Sequence, residues 1–163
     1  MKLSTIILYA APWAFIAQLA AAAPDVSAVL PPHGATSYVA KVIGRVIDVA
    51  EVGKGETETL VEVTGMTRNT LGQSAFDQMR EHCLISLTAG GGRSSAVGAC
   101  RETDGDGDIL FMSFDDEVGK LLGGTGKYAG MTGSAVFSVK PELPPEAGKV
   151  AYSVNHDVTW AQK

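Results

Sequence analysis

The fold of this chain is indicated most clearly by one glycine-rich stretch, GGTGKYAGMTGS, at residues 123–134. Five of its twelve residues are glycine, and it leads directly into a strand-like segment at 135–139. Glycine adopts positive φ and allows close backbone approach, so such a run is typical of a chain that turns sharply before a strand. We therefore predict a structural glycine loop, and its members are Gly123, Gly124, Gly126, Gly130 and Gly133.

The same stretch does not match a nucleotide-binding loop. A Walker A motif would require Gly at the position of Leu121 and Ser or Thr at the position of Tyr128. A dinucleotide-binding fingerprint requires a helix after the glycines, whereas the residues that follow here alternate like a strand. The run therefore predicts architecture rather than phosphate chemistry.

The N-terminal residues are predicted to be an export signal. Lys2 gives a short positive region, no charged residue follows from 3 to 23, and the apolar run ends in four alanines. This pattern is typical of a secretory signal peptide, which we assign to residues 1–22. We therefore expect an exported protein, periplasmic or extracellular.

A membrane anchor is the alternative interpretation, because the uncharged run is almost long enough to span a bilayer. Pro12 and Gln18 interrupt the run, however, and its small-residue end suits cleavage better than anchoring. We expect cleavage after Ala21 or Ala22, which leaves no stable membrane anchor.

The charge balance argues against polyanionic partners. Without Lys2 the chain keeps 12 basic side chains against 18 acidic ones, a formal charge of −6, and no basic cluster. Neutralisation of phosphates by Lys and Arg drives most nucleic-acid affinity, so we expect no nucleic-acid binding. Attachment to an anionic membrane surface is disfavoured for the same reason.

Short alternating segments predict an all-β domain. A Pro-, Ala- and Gly-rich leader at 23–36 is followed by a single domain at 37–163. Period-two alternation with turn residues between segments is typical of a β-sandwich or barrel, and only residues 74–81 look helical. The strand-like segments are 38–49, 59–67, 83–89, 95–103, 108–115, 131–140 and 149–160.

Two cysteines in an exported chain favour a disulfide. If Gly91 and Gly92 form a two-residue type I′ turn, Cys83 lies directly across from Cys100. That pair is a non-hydrogen-bonded one, with about 4.5 Å between Cα atoms, a spacing that a disulfide tolerates. A longer turn through 90–93 would break this register. We predict the disulfide.

Three aspartates alternate with glycine in Asp104, Asp106 and Asp108, and this spacing matches the first ligand positions of a calcium loop. Ile109, however, occupies the position where that loop requires Gly, and the flanking segments look like strands. We favour a polar hairpin turn, in which Asp-Gly supplies positive φ, with a weak calcium site as the alternative.

Catalytic residues are not identifiable from the sequence. His156 alternates with Val154 and Val158, so it is predicted to face inward, and we group it with Arg101 and Trp160 as candidate ligand contacts. No pair of carboxylates presents itself for acid–base work, because the obvious acids lie in turns. We expect no cofactor.

Two segments carry a family resemblance. CRETDGDGD at 100–108 and GGTGKYAG at 123–130 resemble a group of small exported bacterial proteins, which are similar to the allene oxide cyclase and dirigent barrels of plants. The resemblance implies an eight-stranded antiparallel barrel of the calycin-like kind, which holds one compact apolar ligand or is filled with side chains. It also implies a homotrimer. No active-site residue of the plant proteins can be matched to a position of this chain.

Two functions follow as expectations, since a fold does not determine a function. The first is a module without catalysis that binds a small apolar ligand or a partner protein. The alternative is a cofactor-free isomerase or cyclase acting on a lipid-like or phenolic substrate. An inward cluster of ionisable residues, such as His156 with Arg101 or Glu102, would favour the enzyme.

Overall fold

The computed structural model of the protein describes residues 30–143 and 148–163. The predicted signal peptide and most of the predicted leader lie outside the described residues. Those residues form eight strands and one short 3₁₀ helix at Gly126–Tyr128. The strands are β1 (His33–Gly53), β2 (Glu56–Asn69), β3 (Arg80–Gly90), β4 (Arg93–Thr103), β5 (Ile109–Asp115), β6 (Val118–Gly124), β7 (Met131–Glu142) and β8 (Lys149–Gln162).

The strands close into a single antiparallel barrel. Each strand pairs with the next along the chain, and β8 pairs with β1, so the closed sheet has no free edge. The prediction of an all-β, eight-stranded antiparallel barrel is confirmed. Within residues 30–143 and 148–163, no helix has the length and hydropathy needed to cross a bilayer.

Strand β1 begins inside the predicted leader. Residues 33–36 pair with the end of β8, and Gly34 lies opposite Trp160. The barrel therefore starts at His33 rather than at residue 37. The small residues of this segment and the two prolines just before it obscured the strand, because they give no alternation of apolar side chains.

Strand β6 was missed in the sequence, and its composition explains why. Gly119, Leu121 and Gly123 are buried on its inner face, so two of its three inward positions have no apolar side chain to signal a strand. The helical expectation for 74–81 was also wrong. Those residues form a loop and the start of β3.

The five glycines of the predicted loop lie at positions that disfavour any other residue. Gly123, Gly126 and Gly130 have φ of 88°, 51° and 72°, a region that disfavours other residues. Gly124 and Gly133 lie so close to a neighbouring strand's backbone carbonyl that neither position has room for a Cβ atom. The run thus ends β6, makes a tight turn and starts β7 against the neighbouring strands.

One end of the barrel is filled with large side chains. The loop between β2 and β3 folds across this end and buries Phe76 and Met79 almost completely. Tyr128 and Trp160 pack with Phe76, at ring-centroid distances of 6.2 and 5.4 Å. Trp160 donates its indole N–H to the carbonyl oxygen of Pro31 at 3.1 Å. These side chains form an aromatic plug, which closes this end of the barrel and does not fill the rest of the interior.

Candidate functional site

The barrel interior beyond the plug is hollow. It holds a cavity of about 680 Å³, which lies within the range of pockets that take small organic molecules. Inward positions of the strands supply its wall because side chains of a strand alternate between its two faces. The wall is mainly aliphatic and aromatic, with Val42, Val63, Ile85, Met112, Phe114 and Val154 among its members.

A disulfide lies at the deep end of the cavity. Gly91 and Gly92 both have positive φ in a two-residue turn, and this register places Cys83 opposite Cys100. The two sulfurs are bonded, with 4.1 Å between the Cα atoms, so the predicted disulfide is confirmed. Because the sulfurs are bonded to each other, neither is a thiolate nucleophile or metal ligand.

The register that joins the cysteines also aligns two glutamates. Glu81 lies directly opposite Glu102, two residues below the disulfide on the same inner face. Both are buried, with 8% and 0% of their surfaces exposed. Glu81 lines the cavity, whereas Glu102 lies behind it and accepts a hydrogen bond from the Tyr38 hydroxyl at 3.0 Å. This pair was not identified from the sequence, because the acids considered there lie in turns.

Burial dominates the electrostatics of this acid pair. It raises the pKa of Glu81, and the negative charge of Glu102 raises it further. Burial also raises the pKa of Glu102, although the hydrogen bond from Tyr38 opposes that shift. The Tyr38 hydrogen bond therefore stabilises the charged form of Glu102. Of the two carboxyl groups, Glu81 is the one that keeps its proton to higher pH.

The contacts of Glu81 agree with a neutral carboxyl group. Its Oε1 lies 3.0 Å from Cys83 Sγ and 3.7 Å from Cys100 Sγ. Disulfide sulfurs carry no hydrogen, so a hydrogen bond here needs the carboxyl O–H as donor. The other oxygen, Oε2, has no hydrogen-bond partner among the described residues.

His156 also lines the cavity. Its ring stacks on Tyr38 with centroids 4.5 Å apart, and Tyr38 stacks in turn on Phe76 in the plug. Burial lowers the pKa of His156 to about 4, so the imidazole is neutral at physiological pH. Its Nδ1 has no hydrogen-bond partner in the described part of the chain. The inward orientation predicted from the alternation is correct.

The opposite end of the cavity is lined by polar and acidic residues. Ser94 and Ser95 come from the start of β4, Asp115 ends β5, and Asp116 and Glu117 form the β5–β6 turn. Asp116 accepts a hydrogen bond from the backbone N–H of Ala96, which ties the two hairpins together. Among the described residues, no Lys or Arg lines the cavity.

The other two candidate ligand contacts lie elsewhere. Arg101 is exposed on the outer face of β4, where it lines a shallow depression with Arg80 and His82. Trp160 belongs to the plug and does not line the cavity. Alternation separates Arg101 from the cavity, since its neighbour Glu102 takes the inward position. Of the three residues grouped from the sequence, the structure brings only His156 to the cavity.

An ammonium group lies among the carboxylates of the predicted calcium loop. Lys127 Nζ lies 2.9 Å from Asp104 Oδ2 and 2.6 Å from Asp106 Oδ2, and Asp108 accepts from the Lys127 backbone N–H at 3.0 Å. Asp104 Oδ1 also accepts the backbone N–H groups of Asp106 and Asp108, as in a polar turn. Calcium binding stays a prediction, and it would have to displace Lys127.

The acid pair could have been found from the sequence. Once Gly91 and Gly92 set the hairpin register, Glu81 and Glu102 follow from the pairing of the cysteines two residues away. They also share the cysteines' face because strand side chains alternate. The charged character of the two residues suggested exposed positions, and this masked the signal.

Comparisons with known proteins add a structural similarity only. Neither the known family profiles nor the curated proteins contain a match to this chain. Among solved structures, a pterocarpan synthase dirigent protein is similar, with a TM-score of 0.49 and 12% sequence identity. The similarity covers 82% of this chain and 94% of that protein. At this level it says nothing about a ligand or a reaction of this chain.

Proposed function

We propose that this protein binds one small, largely apolar ligand inside the barrel. The observation that carries the proposal is the cavity of about 680 Å³, with an apolar wall and a few polar groups at its deep end. Sites for small molecules typically combine such a wall with a small number of polar groups that set orientation. Here Glu81 and His156 are the polar groups that a bound molecule would reach.

The plug supports a binding role because it seals only one end. Phe76, Tyr128 and Trp160 fill that end, while inward side chains such as Val63 and Ile85 leave the centre empty. Packed protein interiors rarely contain voids much larger than a water molecule. A space of this size inside a small domain therefore points to an occupant.

A cavity-filling substitution tests the proposal. Ile85→Trp places an indole in the cavity, and Leu84→Trp is the matched control because Leu84 faces outward on the same strand. We expect Ile85→Trp to abolish binding of an apolar fluorescent probe such as N-phenyl-1-naphthylamine, and Leu84→Trp to bind it like the native protein. A native protein that does not bind this probe, or any co-purifying apolar molecule, would contradict the proposal.

A cofactor-free isomerase or cyclase is the second candidate function, and it is favoured by a buried acid and a neutral imidazole that line the same cavity. Glu81 holds a proton that it can donate, and His156 offers a neutral nitrogen in the same cavity. The resemblance to allene oxide cyclase and dirigent barrels suggests a lipid-like or phenolic substrate. Glu81→Gln should then abolish turnover while a bound substrate is retained.

The disulfide is consistent with the proposed export to the periplasm or the extracellular medium. Such bonds persist in oxidising compartments and are rare in the cytosol. The homotrimer implied by the family resemblance also stays a proposal. Sedimentation equilibrium would test it, since a monomer and a trimer of a 17.0 kDa chain are well separated in mass.

A further inference from the structure

We propose that the ligand is a lipophilic amine, bound as its ammonium ion with the charged group at Glu81. This inference rests on the proposed function, because it names the chemical class that the cavity accepts.

The deep end of the cavity offers an acceptor that has no donor. Oε2 of Glu81 lacks a hydrogen-bond partner among the described residues, and the Glu81 side chain is more than nine-tenths buried and lines the cavity. A buried acceptor without a partner is costly, so an occupant that supplies donors is favoured. An ammonium group has three donors and no acceptor, so it can donate to this oxygen.

The charge along the cavity selects against an anion. Glu81 and, behind it, Glu102 lie at the deep end, and Asp115, Asp116 and Glu117 line the other end. Among the described lining residues there is no Lys or Arg to balance them. A fatty acid or phenolate would bring a further negative charge next to a buried acid pair, whereas a cation would be drawn inward by the acidic lining.

The wall suits the rest of such a molecule. The rings of Phe114 and Phe137 meet edge to face with centroids 5.5 Å apart, and Phe137 lies 5.6 Å from His156. Aromatic faces attract ammonium groups as well as apolar bodies, so a cation close to these rings gains a second favourable contact. The aliphatic wall then buries an alkyl or aryl body.

Binding of a cation should release a proton from the site. Glu102 on β4 and Tyr38 on β1 interact electrostatically with Glu81, His156 on β8 lines the same cavity, and β2 places Gly65 opposite Glu81. With Tyr38 and His156 both neutral, no cation among the described residues stabilises the charged form of Glu81. An ammonium ion supplies that cation, so the carboxyl proton passes to solvent when the amine binds.

Three matched probes test this inference: 2-(1-naphthyl)ethylamine, the neutral 2-(1-naphthyl)ethanol, and 1-naphthylacetate. At about pH 6.5 we expect the amine to bind roughly tenfold or more tightly than the alcohol, and the acetate most weakly. Calorimetry of the native protein in buffers of different ionisation enthalpy should show release of about one proton per amine and none per alcohol.

Glu81→Gln should lower the affinity for the amine to that for the alcohol and abolish proton release, while binding of the alcohol is retained. Glu58→Gln is the control, because Glu58 lies on the outer face of β2, where Ser86 donates to it. Equal affinity of the native protein for amine and alcohol, or binding without proton release, would overturn the amine assignment and leave the cavity proposal standing. Failure of all three probes to bind would overturn the proposed function itself.

Discussion

Glu81 and Glu102 face each other across strands β3 and β4, buried directly below the Cys83–Cys100 disulfide. The disulfide holds the two strands together at the point where two like charges would repel. A raised pKa relieves that repulsion, because one carboxyl group can keep its proton. Tyr38 donates to Glu102 and so leaves the proton with Glu81, at the surface of the cavity.

This acid pair should make the protein less stable at alkaline pH. Both folded-state pKa values are raised above the ordinary value of 4.5, so the folded state binds more protons than the unfolded state above that pH. The contribution to stability is fully present below about pH 4.5 and is lost as the pH rises through the raised pKa values. We expect the free energy of unfolding, measured with urea, to fall between about pH 4.5 and about pH 8.

Glu102→Gln should reduce that alkaline loss, because the amide oxygen still accepts from Tyr38 but no longer titrates. Glu58→Gln on the outer face serves as the control and should keep the slope of the native protein. A free energy of unfolding that increases with pH in this range would show that the pair is charged in the folded state and stabilised by another group.

His156 should have the opposite effect at acid pH. Its folded-state pKa of about 4 lies below the ordinary 6.5, so its contribution to stability is present above about pH 6.5 and is lost as the pH falls through this window. His156→Phe keeps a ring to stack on Tyr38 and removes the titration. The stability difference between native protein and variant should change by at most about 3 kcal/mol between about pH 7 and about pH 4. If the free energies of unfolding of the native protein and of His156→Phe change in parallel with pH, this prediction is wrong.

Reduction of the disulfide should destabilise the barrel. The bond joins residues 17 positions apart, and a loop of this size is worth about 3 kcal/mol in the chain-entropy treatment. Urea unfolding with and without dithiothreitol measures the loss. The Cys83→Ala, Cys100→Ala double variant provides the control, since its unfolding midpoint should not respond to reductant. If the unfolding midpoint of the native protein also does not change with dithiothreitol, the prediction is wrong.

The ammonium of Lys127 should make the aspartate turn independent of calcium. It lies within 2.9 Å of both Asp104 and Asp106, and its own side chain is 18% exposed. Partial burial disfavours the charged form of Asp104, but the hydrogen bond and charge of Lys127 outweigh this and lower its pKa. Lys127→Met leaves the buried Asp104 without its counter-charge, at a cost of about 1–3 kcal/mol.

Thermal unfolding in calcium and in chelator checks the same turn. The native Tm should be unchanged by millimolar calcium, and Lys127→Met should lower the Tm in chelator. Asp106→Asn is the milder comparison, because the Asp106 side chain is 57% exposed. A native Tm several degrees higher in calcium would mean that the metal displaces Lys127 from the turn.

Removal of the plug should be more damaging than changes at the cavity wall. Phe76 is 1% exposed and contacts the rings of Tyr38, Tyr128 and Trp160. Phe76→Ala should cost about 3–5 kcal/mol and shift the Trp160 emission to longer wavelength as water reaches the indole. Val154→Ala lies on the wall of an existing cavity and should cost less. Equal losses would argue that the cavity is as tightly packed as the plug.

Local sequence patterns were sufficient for the β-architecture and for the disulfide. Alternation showed which segments are strands, and the Gly91–Gly92 turn set a register that needed no distant contact. The same logic failed for β6, where glycines take two inward positions. Alternation also did not reveal the acid pair. The pattern is recognised from apolar residues at inward positions, so a glutamate at an inward position is not distinguished from one at an outward position.

The sequence by itself indicated seven of the eight strands, the glycine loop and the pairing of the cysteines, because each depends on residues that are close along the chain or paired by one hairpin. Only the tertiary structure decided that Phe76 and Trp160 close one end, that Lys127 occupies the aspartate turn, and that the centre is hollow. The contact of Lys127 depends on the packing of two loops against each other, whereas the closed end and the hollow centre depend on barrel closure, which pairs β1 with β8. The composition gives the number of apolar side chains, but the volume left empty between them depends on the geometry of the closed barrel.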